Sequence, residues 1–245
     1  MNSLPNPNEF IKHTTILSAP KGSKSSSGSY DIQKIDKAFK QARKQCDKKH
    51  LDKLGNELIC FEFYKTCPNK KAGCKYFQYS KRDDSLTIHL YDNKKELQTI
   101  AVRNSNGTKW KTYGSKKFTP YKIEDDVIFL FSGMSEIIIA ELLGMSFIGI
   151  QSDSMVRHIP QELKELTRDK FIVILSDNDE SFKKIIPTIK QFFEHSKVIV
   201  IDFEKVLNQE LPKGFDFRDF VNQIADANKV LSMLEEEITK GGSND

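Results

Sequence analysis

The chain predicts an α/β protein: a parallel, Rossmann-like sheet with helices on both faces over residues 124–240, preceded by a smaller basic α+β unit over 31–123. Three observations carry this. From Val127 onward, runs that are apolar throughout alternate with segments of helical period, the pattern of strands covered on both faces and of the helices that connect them. From Glu57 to about Lys122 the texture is instead short β-like runs broken by turn signals. Charge divides at the same place. Residues 1–126 carry 25 Lys/Arg against 14 Asp/Glu, a net of +11, and residues 127–245 carry 13 against 20, a net of −7. A basic half beside an acidic half suits a chain that holds a polyanion with one part and gathers divalent cations with the other.

The elements follow in order. Residues 1–30 end in the Gly/Ser/Lys run Lys21–Ser29, which predicts a flexible tail. Ile32, Ile35, Phe39 and Ala42 recur at three- and four-residue spacing and predict a helix over 31–54. Leu58–Tyr64, Ser85–Tyr91, Leu97–Arg103 and Thr108–Tyr113 read as strands, with Asp92-Asn93 and Asn106-Gly107 as hairpin turns. In the second half, strands are expected at Val127–Phe131, Phe147–Ile150, Phe171–Leu175 and Lys197–Phe203. Helices are expected at Ser135–Leu143, Pro160–Arg168, Ser181–His195 and Asp219–Thr239, with 241–245 as a second tail. Phe217, Phe220, Val221, Ile224, Ala227, Val230, Leu231 and Leu234 give the closing helix a core-facing stripe.

No stretch approaches the roughly 18 apolar residues that cross a bilayer, which predicts no membrane partner. The first residues lack the basic segment, apolar core and small-residue cleavage site of a secretory leader, so a cytoplasmic location is expected. Four cysteines in a reducing compartment are thiols or metal ligands before they are disulfides.

In an open parallel sheet, ligands and catalytic groups gather beyond the carboxyl ends of the strands. Three segments fall there: Ser132-Gly133-Met134-Ser135-Glu136, Ser176-Asp177-Asn178-Asp179-Glu180 and Lys213-Gly214-Phe215-Asp216-Phe217-Arg218-Asp219. Asp177 and Asp179 supply the hard oxygen ligands that Mg²⁺ or Mn²⁺ takes, one or two carboxylates with water or phosphate completing the shell. A plainer reading of Asp-Asn-Asp is a strand-to-helix turn with Asp179 as the helix N-cap.

Taken in this order, the three segments resemble the Toprim domain of bacterial, phage and plasmid primases and of type IA and II topoisomerases. Gly133 and Glu136 match the glycine and the later acidic position of the first motif, Gly144 the glycine before the second strand, Asp177 and Asp179 the Asp-x-Asp, and Pro212–Phe220 the late Pro-x-Gly-x-Asp-x-x-Asp stretch. The resemblance spans about residues 85–225. It implies metal ligation by Asp177, Asp179, Asp216 and Asp219, and Mg²⁺-dependent nucleotidyl or phosphoryl transfer or nuclease chemistry. One position departs from the pattern. The first-motif glutamate, the general acid/base of the family, is Ser132 here, and serine takes up no proton near neutral pH. Glu136 is the remaining acid/base candidate, but a four-residue step advances a helix by about 6 Å, so its side chain must bend back to serve.

Arg103, Lys109, Trp110, Lys111, Lys116 and Lys117 combine cations for phosphates with a ring for base stacking, the ingredients of single-strand binding. Lys65–Arg82 is a similar basic and aromatic run. Cys46, Cys60, Cys67 and Cys74 lack the close pairs of zinc knuckles; only Cys67 and Cys74, across a turn-like stretch, are Zn²⁺ candidates, and Cys60 is expected in the core of the strand Leu58–Phe63.

The expected function is a primase-like, nucleic-acid-associated protein, in mobile-element replication or repair. It would hold single-stranded or template DNA or RNA and a divalent metal, with weak or absent transfer chemistry and a helicase or polymerase partner. The alternatives are an inactive Toprim scaffold for nucleic acid or a replication partner, and a phospho-receiver-like α/β domain with an aspartate acceptor.

Overall fold

The computed structural model describes residues 43–44, 59–70, 77–80, 85–92, 94, 96–104, 110–115 and 117–242. Its strands are β1 (Arg43–Lys44), β2 (Phe77–Ser80), β3 (Ser85–Tyr91), β4 (Leu97–Asn104), β5 (Trp110–Gly114), β6 (Tyr121–Lys122), β7 (Val127–Ser132), β8 (Phe147–Ile150), β9 (Phe171–Ser176) and β10 (Lys197–Asp202). Its helices are α1 (Phe61–Thr66), α2 (Met134–Leu143), α3 (Glu162–Leu166), α4 (Glu180–Phe192), α5 (Phe203–Leu207), α6 (Phe217–Ile224) and α7 (Ala227–Gly242), with a 3₁₀ turn at Asp153–His158.

Two five-stranded sheets result. The first is antiparallel in chain order, β1-β2-β3-β4-β5. The second runs β10-β9-β7-β8-β6; β7, β8, β9 and β10 are parallel, and the short β6 is an antiparallel edge strand that no apolar run had announced.

The apolar strands of the second sheet divide their side chains between two cores, as the two-residue period of a strand requires. Phe129, Phe131, Val173, Leu175 and Ile201 enter one, with α2, α5, α6 and α7. Ile128, Leu130, Ile148, Ile150, Ile172 and Ile174 enter the other, with Leu163 of α3 and Phe182 and Ile189 of α4. Helices therefore cover both faces. All ten residues of α2 are buried, because it packs on β8 and against α6 inside the core rather than at the surface. The main-chain N–H of Asn69 donates to Leu142 O at 3.0 Å and its side-chain amide to Glu141 O at 3.1 Å, so the loop after α1 satisfies the last carbonyls of α2. Gly149 lets α2 approach β8 closely, since a Cβ there would lie 2.7 Å from Ile137 Cγ1. Ile88, Leu90 and Ala101 of the antiparallel sheet share the α2 core. Gln151, just past β8, ties the two sheets together: its amide donates to Phe118 O at 2.7 Å and Ser115 O at 3.1 Å.

Four expectations change. Of the expected strand Leu58–Tyr64, the described residues 59–64 form none; residues 61–66 are helical, because Ile59, Phe63 and Cys67, four residues apart, all enter the core. Cys60 consequently precedes α1 and is half-buried, while Cys67 is the buried thiol. Arg43–Lys44, within the expected 31–54 helix, pair as a strand with Tyr79 and Ser80; the rest of that helix lies outside the described residues, as do Asn106-Gly107. The closing helix is two, broken at Ala225 (φ 59°), after which Asp226 Oδ1 accepts the Lys229 N–H at 2.9 Å and starts α7. Helix α7 continues to Gly242, where a tail was expected.

Candidate functional site

Strands β7 and β9 are parallel neighbours, so their carboxyl ends open on the same edge. Ser132 is the last residue of β7, 8% exposed, and Asp177 follows the last residue of β9. Gly133 turns the chain from β7 into α2 at φ +129°, with its N–H on Ile150 O at 2.8 Å. The Glu136 carboxylate lies directly over this glycine, in space that any Cβ would fill. Glu136 thus does bend back from the first turn of α2 towards the strand end, and only because residue 133 is glycine.

Glu136 is buried, at 3% exposure. Burial holds its carboxyl well above the usual carboxylate range; Asp216 and Asp177 nearby push the same way, while its own backbone N–H and Arg218 oppose. Asp177 is pushed up to about 8, first by burial, then by the charges of Asp216, Asp153, Asp179 and Asp219. Its Oδ1 is buried with no hydrogen-bond partner among the described residues. Burial also raises Asp216, against the pull of Arg218 and of the Asp219 N–H. Three carboxyls, Glu136, Asp177 and Asp216, therefore crowd one edge of the sheet.

The other aspartates have local work. Asp179 caps α4, Oδ1 accepting the Ser181 N–H at 2.8 Å, and that bond holds it below the usual range. The plainer sequence reading of Asp179 therefore describes its geometry. Asp216 and Asp219 form a capping box at the start of α6: Asp216 Oδ1 accepts the Asp219 N–H at 2.9 Å and Asp219 Oδ2 accepts the Asp216 N–H at 3.4 Å. The Arg218 guanidinium meets Asp216 Oδ2 at 3.2 Å and Asp219 Oδ1 at 3.5 Å. Among the described residues, no group of three or more His, Cys, Asp or Glu side chains has the arrangement of a metal site. Of the four aspartates expected as ligands, only Asp177 has a carboxylate oxygen that is buried and without a partner.

Sequence reasoning passed over two residues here. Asn178, between the two aspartates, fastens the loop before α6 to the β9 end. Its N–H donates to Phe215 O and its carbonyl accepts from the Gly214 N–H, both at 2.8 Å; its amide donates to Leu211 O at 2.9 Å and Glu204 Oε1 at 3.2 Å. Arg218 is the second. Its position inside the late motif was the available signal.

The basic cluster is only partly described. Arg103 pairs with Trp110 across β4 and β5, Lys111 with Val102, and β5 is an edge strand. Lys117 is exposed, and Lys109 and Lys116 lie outside the described residues. Cys67, 4% exposed, donates its thiol to Phe63 O at 3.3 Å, and burial pushes that thiol up to about 12. Zinc there would need a thiolate inside an apolar core. Cys74 lies outside the described residues. Among the described residues, no helix is long and apolar enough to cross a membrane.

No protein-family model matches the sequence, and no curated protein does. Among solved structures, the primase fragment of the bacteriophage T7 primase-helicase protein aligns with a TM-score of 0.52 and 15% identity, over 88% of this chain and 83% of that one. The Aquifex aeolicus primase zinc-binding and RNA polymerase domains align at 0.46 and 11%, over 84% and 56%. A DnaG primase catalytic domain bound to ssDNA aligns at 0.46 and 10%, over 76% and 62%. What this chain has in common with the phage primase fragment is its fold, α/β with a parallel-rich sheet.

Proposed function

We propose that the chain is a nucleic-acid-associated, primase-like protein of two units, a basic one over 31–123 and a Toprim-type one over 124–240, with weak or absent transfer chemistry. The observation that carries this reading is the half-buried Asp177 carboxylate at the strand ends, its Oδ1 buried and unpartnered and Glu136 and Asp216 crowding it. A hard cation relieves that repulsion, and Asp177 fits one. Asp216 would be its second ligand, with Asp179 and Asp219 reaching it only through water. A bound Mg²⁺ or Mn²⁺ would supply Lewis-acid polarisation of a phosphoryl oxygen. From this chain, burial favours the protonated form of Glu136, which could donate a proton, whereas Ser132 could accept none. A site with a donor and no acceptor suits binding better than turnover.

Arg103, Lys109, Trp110, Lys111, Lys116 and Lys117 would contact single-stranded DNA or RNA. A replication or repair setting, a helicase or polymerase partner and an inactive scaffold role are compatible with the same edge. The test is fluorescence anisotropy with a single-stranded oligonucleotide, alongside primer-synthesis and nuclease assays in Mg²⁺ and Mn²⁺. Salt-sensitive binding with little turnover is expected. Robust turnover that survives Glu136→Gln and vanishes in Asp177→Asn would show that metal and water suffice, and would overturn the weak-chemistry reading. Absence of binding at low salt would overturn the nucleic-acid reading.

A further inference from the structure

The late aspartates lie where a cation-binding edge needs them, yet a cation of the chain's own already sits there. All four carboxylate oxygens of Asp216 and Asp219 are engaged, two by each other's backbone N–H groups and two by the Arg218 guanidinium. Asp177, on the neighbouring strand end, has an oxygen with no partner. Arg218 also occupies the first turn of α6, where the helix dipole disfavours a positive charge. Carboxylates on both sides of it, with Glu136 close enough to act on its charge, are what makes a cation tolerable there.

We propose that Arg218 is a built-in counter-cation: its guanidinium neutralises Asp216 and Asp219, and a divalent ion engages Asp216 only when Arg218 is displaced. The proposal rests on the cation reading of the Asp177 edge and adds what regulates it. Arg218 is a positioning and competing residue, not a catalytic one. With it in place the natural chain has low metal affinity, because a divalent ion beside Asp216 meets a like charge on the far side of the same carboxylate. Nucleic acid offers Arg218 another partner: a phosphate that drew the guanidinium off Asp216 would open the edge to metal, coupling polyanion and cation binding in both directions.

Mn²⁺ binding to the full chain, followed by loss of the free-ion electron paramagnetic resonance signal, tests this. Arg218→Gln should bind Mn²⁺ on the order of tenfold or more tightly than the natural chain, the usual scale of coupling between competing sites. Arg218→Lys, which keeps the charge, should remain near the natural affinity. Adding Asp177→Asn to Arg218→Gln should abolish the gain. Equal or weaker binding by Arg218→Gln overturns the proposal. If that variant does not fold without metal, recovery of its circular dichroism by Mn²⁺ but not by NaCl of equal ionic strength supports the proposal, and failure of Mn²⁺ to restore it overturns it. Tight binding by the natural chain that Asp177→Asn removes and Arg218→Gln leaves unchanged would reject the role of Arg218 while the cation site stands. Tightening by Arg218→Gln that Asp177→Asn does not touch would support the counter-cation and reject Asp177 as the ligand.

Discussion

Asp177→Asn should stabilise this protein, by an amount that grows with pH. The substitution keeps the shape of the side chain and removes its charge. In the fold the Asp177 carboxyl titrates at about 8, against an ordinary value of 3.8. A raised carboxyl pKa means that folding is most favoured where the group is protonated in both states, below about pH 4. The contribution is lost progressively as pH rises to about 8 and is constant above that. At about 1.36 kcal/mol per pH unit, the full shift corresponds to an upper bound of about 6 kcal/mol, and at pH 7 to about 4 kcal/mol. Water at the half-buried side chain screens part of this, so about 1–4 kcal/mol is expected at pH 8. Urea unfolding of both proteins at pH 5, 6, 7, 8 and 9, in EDTA to exclude metal, measures it. The stability difference, variant minus natural, should climb from pH 5 to 8 and then level. A difference that is flat with pH, or a variant less stable at pH 8, would refute the claim that the edge holds an uncompensated carboxylate. With saturating Mg²⁺ in place of EDTA the difference should shrink, because the bound ion neutralises the natural carboxylate and has no charge to meet in the variant.

Replacing Lys109, Lys111, Lys116 and Lys117 with Ala should weaken single-strand binding. It should also reduce the slope of log affinity against log salt by about 0.7 for each phosphate left without its lysine, read by anisotropy from 50 to 300 mM salt (about the range where such slopes are measured); an unchanged slope would mean the lysines are only surface. Cys67 should resist a thiol reagent such as 5,5′-dithiobis-(2-nitrobenzoate) at pH 8 in the native state and react once unfolded, since its thiol titrates near 12; rapid native labelling of Cys67, located by mass spectrometry, would contradict its burial. Asn178→Ala should cost about 1–3 kcal/mol in urea unfolding, because Leu211 O loses its donor at the loop before α6. Ala225→Gly should gain up to about 1 kcal/mol, relieving a left-handed residue at the α6 C-cap; a loss there would mean that the Ala225 methyl packs usefully.

The parallel sheet was legible because its strands are buried on both faces. An apolar run of five or six residues leaves little choice of element when one alternate set must enter each of two cores, and β7, β8 and β9 begin at the predicted residues. Errors arose where two periods fit the same letters. Phe61-Glu62-Phe63-Tyr64 alternates like a strand, and β-prone aromatics reinforce that reading, but Ile59, Phe63 and Cys67 also share a helix face. Burial of that face in the core, where α1 meets α6 and α7, decided between them, a tertiary fact that no local window contains. The break at Ala225 had a local sign, since Asp226 can cap a new helix, but an unbroken apolar stripe across Phe220, Val221, Ile224 and Ala227 concealed it.

At the site, residue types were legible and their partners were not. That Ser132, Glu136 and Asp177 belong to one edge follows from strand order and chain direction, which alternating periodicity supplies. Whether Glu136 reaches the edge depends on a backbone dihedral at Gly133 and on the absence of a single Cβ, and spacing along a helix argues against it until that geometry is known. Asp179 illustrates the opposite case. Its role as N-cap is a local rule, readable from a Ser two residues on, and it competes with metal ligation because both use the same lone pairs. Arg218 joins the two lessons. A guanidinium between two aspartates in sequence is commonplace on a helix surface, and such exposed pairs contribute little. Here the start of α6 is pinned against the end of β9 by Asn178, so the same three residues are half-buried and close enough to Glu136 and Asp177 to act on their charge. On the counter-cation proposal, that placement beside other carboxyls makes a routine ion pair the charge that decides whether a second cation can enter.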